Sequence, residues 1–186
     1  MDNPLVLVLA VALVATIAVA VWLYTQKRRT EQLRTSFGPE YDRAVREQHD
    51  PRRAEQVLEE RKERVERLHI RPLSEQDRER FAERWRSVQA QFVDDPKGAT
   101  TEADRLVGEV MQARGYPVGD FEQRAADVSV NHPRVVEHYR AAHGIAQRQE
   151  RGEAETEDLR QAMVHYRALF EDLLETETPA PKEVRR

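Results

Sequence analysis

Twenty consecutive residues, Leu5 to Tyr24 (LVLVLAVALVATIAVAVWLY), carry no charge, and beyond them apolar residues recur only at helical intervals. At about 1.5 Å per residue the uncharged run makes roughly 30 Å of helix, the thickness of a bilayer's hydrocarbon core. It predicts a transmembrane helix over 5–24, after a short external N-terminus at 1–4. Phe37-Gly38-Pro39 interrupts the helix that leaves the membrane, and a short helix from Glu40 to about Gln48 follows. Asp50-Pro51 opens a highly charged helix, Arg52 to Leu68, with a narrow stripe of Ala54, Val57, Leu58, Val65 and Leu68. Glu60 with Arg64 and Glu63 with Arg67 are spaced for favourable pairs along its surface.

Richer apolar faces begin at Ser74, a predicted N-cap. Phe81, Trp85, Val88 and Phe92 share one face. Asp95-Pro96 opens a helix with Ala99, Ala103, Leu106, Val107, Val110 and Met111 inward, closed by Arg114-Gly115-Tyr116-Pro117. A short helix after Asp120 carries Phe121 and Ala125. Pro133 opens the next, with Val135, Val136, Tyr139, Ala142, Ile145 and Ala146 inward. Gly152 breaks the pattern, and Thr156 caps a last helix facing Leu159, Met163, Tyr166, Leu169, Phe170 and Leu173. The longest strand-like alternation is Val128-Ser129-Val130, so the pattern predicts an all-α fold. Its parts are an N-terminal transmembrane helix, a charged juxtamembrane helical neck at 25–72, an antiparallel helical bundle at 73–175, and a disordered tail at 176–186.

Charge sets the direction of the anchor. Trp22 and Tyr24 sit where aromatic rings favour the headgroup region, and Lys27, Arg28 and Arg29 follow the apolar run instead of preceding it. This predicts a single-pass protein of the cell membrane with its N-terminus outside and its domain cytoplasmic. The rival is a secretory signal cleaved after Ala20, since Ala18-Val19-Ala20 has the small-x-small form. The missing basic n-region favours the uncleaved anchor. Ala12, Thr16 and Ala20 lie four apart on one face, a spacing that fits a weak homodimer.

Composition narrows the chemistry. Charged residues make up 34% of the chain, yet the net charge is only -4, which describes solvated helix surface and no nucleic-acid patch. Without cysteine there is no disulfide, thiolate nucleophile or zinc-cysteine site. No glycine-rich phosphate loop and no GxSxG elbow occurs. His138 and His143 diverge at a spacing of five, and Glu66-Arg67-Leu68-His69 is one lone Glu-x-x-His element where a di-iron site needs two. The sequence therefore offers no catalytic, cofactor or metal residue.

One repeat stands out. His138-Tyr139-Arg140-Ala141 recurs as His165-Tyr166-Arg167-Ala168, the copies lying on either side of Gly152 at about equal distances. An antiparallel hairpin turning there sets Tyr139 and Tyr166 in one layer, their hydroxyls meeting polar partners, with His138 and His165 flanking them. Two outcomes stay open: packed core, or a small polar pocket of these four residues.

Several stretches, among them Phe37-Gly38-Pro39-Glu40-Tyr41-Asp42-Arg43, Phe92-Val93-Asp94-Asp95-Pro96, Arg114-Gly115-Tyr116-Pro117, Phe121 to Asp127 and Asn131-His132-Pro133-Arg134-Val135-Val136, together with the His165-Tyr166-Arg167 helix, resemble an uncharacterised bacterial family. Its members are small, single-pass, helix-rich, membrane-anchored proteins, often labelled hypothetical or secreted. The resemblance implies the same architecture along nearly the whole chain and implies no activity. The expected function is a membrane-tethered interaction or scaffold module, not an enzyme, with the lipid bilayer and another protein in its helical grooves as partners. The alternative is a small-ligand binder or enzyme using a pocket at the paired His-Tyr-Arg-Ala segments.

Overall fold

Most helices begin and end where the sequence places breakers and caps. The structure, a computed structural model, describes residues 4–175, with side chains from Ala12 onward. The expected tail at 176–186 and the first three residues of the expected external N-terminus lie outside the described residues. Within them the chain forms eight helices and no strand: α1 (Pro4–Phe37), α2 (Pro39–Gln48), α3 (Pro51–Glu66), α4 (Glu75–Gln91), α5 (Pro96–Arg114), α6 (Phe121–Asn131), α7 (Val136–Glu150) and α8 (Thr156–Glu175). The fold is all-α.

Among the described residues no helix is long and apolar enough to cross a membrane. The side chains of Leu5 to Val11, the first part of the predicted span, lie outside the described residues. From Ala12 to Arg29 every residue of α1 is exposed.

The chain divides into two compact units, Met1–Gln56 and Val57–Arg186, and the division falls inside α3. The first unit buries Leu33, Phe37, Tyr41, Ala44 and Ala54. Its turns use left-handed backbone at Gly38 (φ 49°) and at His49 (φ 56°), which is unusual for a residue with a Cβ.

The second unit is built on capped helices. The Ser74 hydroxyl accepts from the Asp77 amide at 3.0 Å, and Asp95 and Asp120 do the same for Gly98 and Gln123 at 2.9 and 2.8 Å. Gly115, at φ 99°, closes α5, where the Tyr116 amide donates to the Met111 carbonyl at 3.0 Å. Two boundaries move from their predicted places. Pro133 does not open α7: Pro133-Arg134-Val135 form a turn in which the His132 carbonyl accepts from Val135 and Val136, and α7 starts at Val136. Thr156 is already helical and is not the cap of α8. The preceding Glu155 amide donates to the Asp158 carboxylate at 3.0 Å.

One apolar core runs through α4, α5, α7 and α8, with α7 against α8 and α5 against α8 as the most extensive contacts. Trp85 of α4 stacks on Phe170 of α8 with ring centroids 4.7 Å apart. On the outside, Arg84 of α4 bridges to Glu109 and Glu102 of α5; Arg105 foremost and then Arg84 hold Glu102, and Arg84 foremost and then Arg105 hold Glu109, below the usual carboxylate range.

Candidate functional site

The residues of the repeated tetrapeptide meet. Helices α7 and α8 return on each other through a turn in which Gly152 adopts φ 74°, and this brings the His138 and His165 rings together. Their Nδ1 atoms are 2.9 Å apart and their ring centroids 5.2 Å. Two ring nitrogens at that distance require one N–H donor and one lone pair, so at least one ring is neutral. Burial, and then the neighbouring His138, holds His165 below the ordinary histidine range.

Tyr139 and Tyr166 point the other way, into the core, and both are fully buried. The Tyr166 hydroxyl donates to Asp104 of α5 at 3.0 Å. The Tyr139 hydroxyl, expected to meet a polar partner as well, finds no hydrogen-bond partner among the described residues. Its ring packs at 4.8 Å against Phe121 of α6, which in turn stacks at 3.6 Å on His143. The Arg124 guanidinium lies 6.0 Å above the Tyr139 ring. Burial pushes both phenols far above their usual value, and Asp104 adds to the effect on Tyr166. Burial likewise lowers His143. The tyrosines are therefore neutral donors at any physiological pH, unsuited to acid–base exchange or nucleophilic attack.

A cleft of about 190 Å³ opens beside this layer, between α5 and the 117–124 segment. Asp104, Gly108, Met111, Pro117 and Arg124 line it, and neither histidine does. What the four predicted residues build is a packed layer with a histidine pair at its edge.

A second polar cluster escaped the sequence reading. Asp127 of α6 is buried to 1% exposure, and its Oδ1 accepts from Arg64 Nε and Nη2 of α3 at 2.8 and 2.6 Å and from Gln123 at 3.0 Å. Arg64 thus serves α6 across 63 residues of chain, a partner that its charged surroundings in α3 did not suggest. Nearby in sequence, buried His132 bonds Asp172 of α8 through Nδ1, and Asn131 donates to the Tyr116 hydroxyl at 3.1 Å. Arg114, fully buried at the end of α5, donates to the Leu173 carbonyl at 2.7 Å. This last bond ties the end of α5 to α8. The one sequence signal was Asp127 itself, a carboxylate inside the small-and-apolar run Ala125-Ala126-Asp127-Val128. These contacts tie helix ends together.

Among the described residues no group of three or more histidine or acidic side chains is placed to hold a metal ion. Trp22 and Tyr24, expected from the sequence to flank a membrane, are 54% and 56% exposed, and Arg28 lies 4.9 Å over the Tyr24 ring. Comparison with known proteins found no family model, no curated protein and no solved structure that matches this chain.

Proposed function

We propose that this protein is a membrane-tethered helical interaction module, held by α1 with its N-terminus outside and its bundle on the cytoplasmic face. The observation that carries the reading is the exposed apolar surface of α1. Leu13, Val14, Ile17, Val19, Val21, Trp22, Leu23 and Tyr24 are each more than half exposed. Leaving eight such side chains in water forfeits on the order of 10 kcal/mol of burial free energy. A bilayer recovers that energy, and Lys27-Arg28-Arg29 then fix the orientation. The resemblance to small anchored bacterial proteins points the same way.

Ala12, Thr16 and Ala20 support a weak homodimer of this helix. The Thr16 hydroxyl donates to the Ala12 carbonyl at 2.8 Å, so that face meets a neighbour with small groups only. The partner of the bundle is another protein: the paired tyrosines are buried in the core, and neither His138 nor His165 lines the cleft beside them. The test is carbonate extraction of membranes combined with protease protection. The full chain stays in the pellet and its bundle is digested only after the cells are opened. Val14→Arg places a charge near the middle of the span, at a cost of about 2.5–3.5 kcal/mol, and shifts the chain toward the soluble fraction. A wild-type chain released by carbonate, or a bundle digested on intact cells, refutes the reading.

A further inference from the structure

We propose that the groove between α1 and the start of α3 is a binding site for the headgroup of an anionic phospholipid. This rests on the membrane-anchored reading above. Leu23, Lys27, Thr30 and Arg34 recur on α1 at intervals of four, three and four, so one helical face changes from apolar to basic. That face lines a cleft of about 710 Å³, within the range of ligand sites. Trp22 and Leu23 form its apolar end, and Lys27, Arg29 and Arg34 follow along α1. Arg52 of α3 stands on the other wall.

Lys27, Arg34 and Arg52 therefore face the cleft with a single carboxylate, Glu55. That carboxylate is occupied by hydroxyl donors: Thr30 at 2.7 Å and Tyr41 at 3.0 Å, both to Oε1. Burial and the adjacent Glu55 raise the Tyr41 phenol, so it remains a donor to that oxygen. Arg34 packs 5.0 Å over the Tyr41 ring, which fixes the back of the cleft. The site is thus preorganised and carries an excess of positive charge.

Position identifies the ligand. With Trp22 and Tyr24 at the hydrocarbon boundary, Lys27 lies about 5 Å beyond it along the helix, at the depth of the lipid phosphates. Ordinary flanking cations attract anionic lipid from one side only. Here Arg52 closes a second side, and a guanidinium presents paired donors to a phosphate. The apolar end beside Trp22 and Leu23 accepts the first carbons of the acyl chains.

The experiment uses the full chain in nanodiscs of phosphatidylcholine alone or of an equimolar mixture with phosphatidylglycerol, with native mass spectrometry of the lipid retained. Phosphatidylglycerol is expected to be retained in preference to phosphatidylcholine. Arg52→Gln should lower that retention about fivefold, the loss of one basic contact at a membrane surface, while Arg52→Lys, which keeps the charge without the paired donors, should fall between Gln and the natural chain. Arg53→Gln is the decisive control. Arg53 is an exposed neighbour on the same helix that does not line the cleft, so its loss should leave retention unchanged. Equal losses from Arg52→Gln and Arg53→Gln would mean diffuse attraction and would overturn the site. Insertion without any preference for phosphatidylglycerol overturns it too, leaving the anchor standing, whereas a chain that does not insert removes both readings. Titration of the detergent-solubilised chain with inorganic phosphate separates the sources. Binding that depends equally on Arg52 without any lipid would assign the cleft to soluble phosphate and overturn the lipid site.

Discussion

Tyr139 and Tyr166 occupy equivalent places in a repeated tetrapeptide, yet their hydroxyls differ in energetic standing. Tyr166 supplies a donor to Asp104, whereas Tyr139 buries a hydroxyl without a partner among the described residues. Tyr166→Phe should cost about 1–2 kcal/mol, because Asp104 loses its donor. Tyr139→Phe should be neutral or stabilising by up to about 1 kcal/mol, since it removes an unsatisfied group from the core. The hydroxyls share no hydrogen-bond partner, so the double variant should be additive within about 0.5 kcal/mol in urea unfolding. Coupling well above that would mean a shared network. The histidines make a prediction about pH. His165 and His143 are both held below the ordinary value of 6.5 in the folded chain, so between the folded and unfolded pKa the unfolded chain binds more protons. Stability from these groups is present above about pH 6.5 and falls as the pH drops below it. The slope of stability against pH below about 6.5 should flatten in a His143→Gln, His165→Gln double variant. An unchanged slope would show that the carboxylates alone set the acid limit.

At the scale of the elements, the caps and stops decide where helices run, and two glycines should respond in opposite directions. Gly115 ends α5 in the left-handed region, and a Cβ there would meet the His69 carbonyl oxygen at 2.5 Å. Gly115→Ala should cost about 2–4 kcal/mol, from left-handed backbone strain and the forced shift of the 69–71 segment. Gly144 lies inside α7, and a Cβ added there would have nothing within 4 Å. Gly144→Ala should therefore stabilise by about 0.5–1 kcal/mol. Thermal melts of the two variants check both signs. The repeat that marks the α7–α8 hairpin also shows how far local patterning reaches. It brought His138 beside His165, but the choice of Asp104 for Tyr166 came from α5, 62 residues away.

For the whole molecule, the compact unit that contains the bundle begins at Val57, inside a helix whose charged sequence reads as one continuous neck. The Arg64 contact with Asp127 and the Arg71 amide bond to the Arg114 carbonyl at 2.8 Å join this stretch to the helices that follow. A fragment of residues 57–175 should therefore unfold in one cooperative transition. A fragment of 73–175 leaves Asp127 without Arg64 and should be about 2–4 kcal/mol less stable, from the loss of the ion pair and of the segment that covers it. Asp127→Asn should recover part of that loss in the shorter fragment and not in the longer one. Equal stability of the two fragments would show that the ion pair contributes nothing.

The sequence by itself determined what depends on neighbours a few residues apart. The inward stripes of α4, α5 and α8, the caps at Ser74, Asp95 and Asp120, and the stop at Gly115 all follow from a 3.6-residue period and from backbone groups that must be satisfied within one turn. The tertiary structure alone decided which polar groups meet. One arginine among 26 pairs with the buried Asp127, one carboxylate among 34 accepts from Tyr166, and His132 reaches Asp172 forty residues on. Nothing local distinguishes these side chains from their many equivalents. The start of α7 moved for the same reason, because the His132 carbonyl and its buried ring fix the turn before the helix can begin. Helix periodicity is a property of a single segment, whereas the pairing of buried charges is a property of the surface that the other segments bring to it.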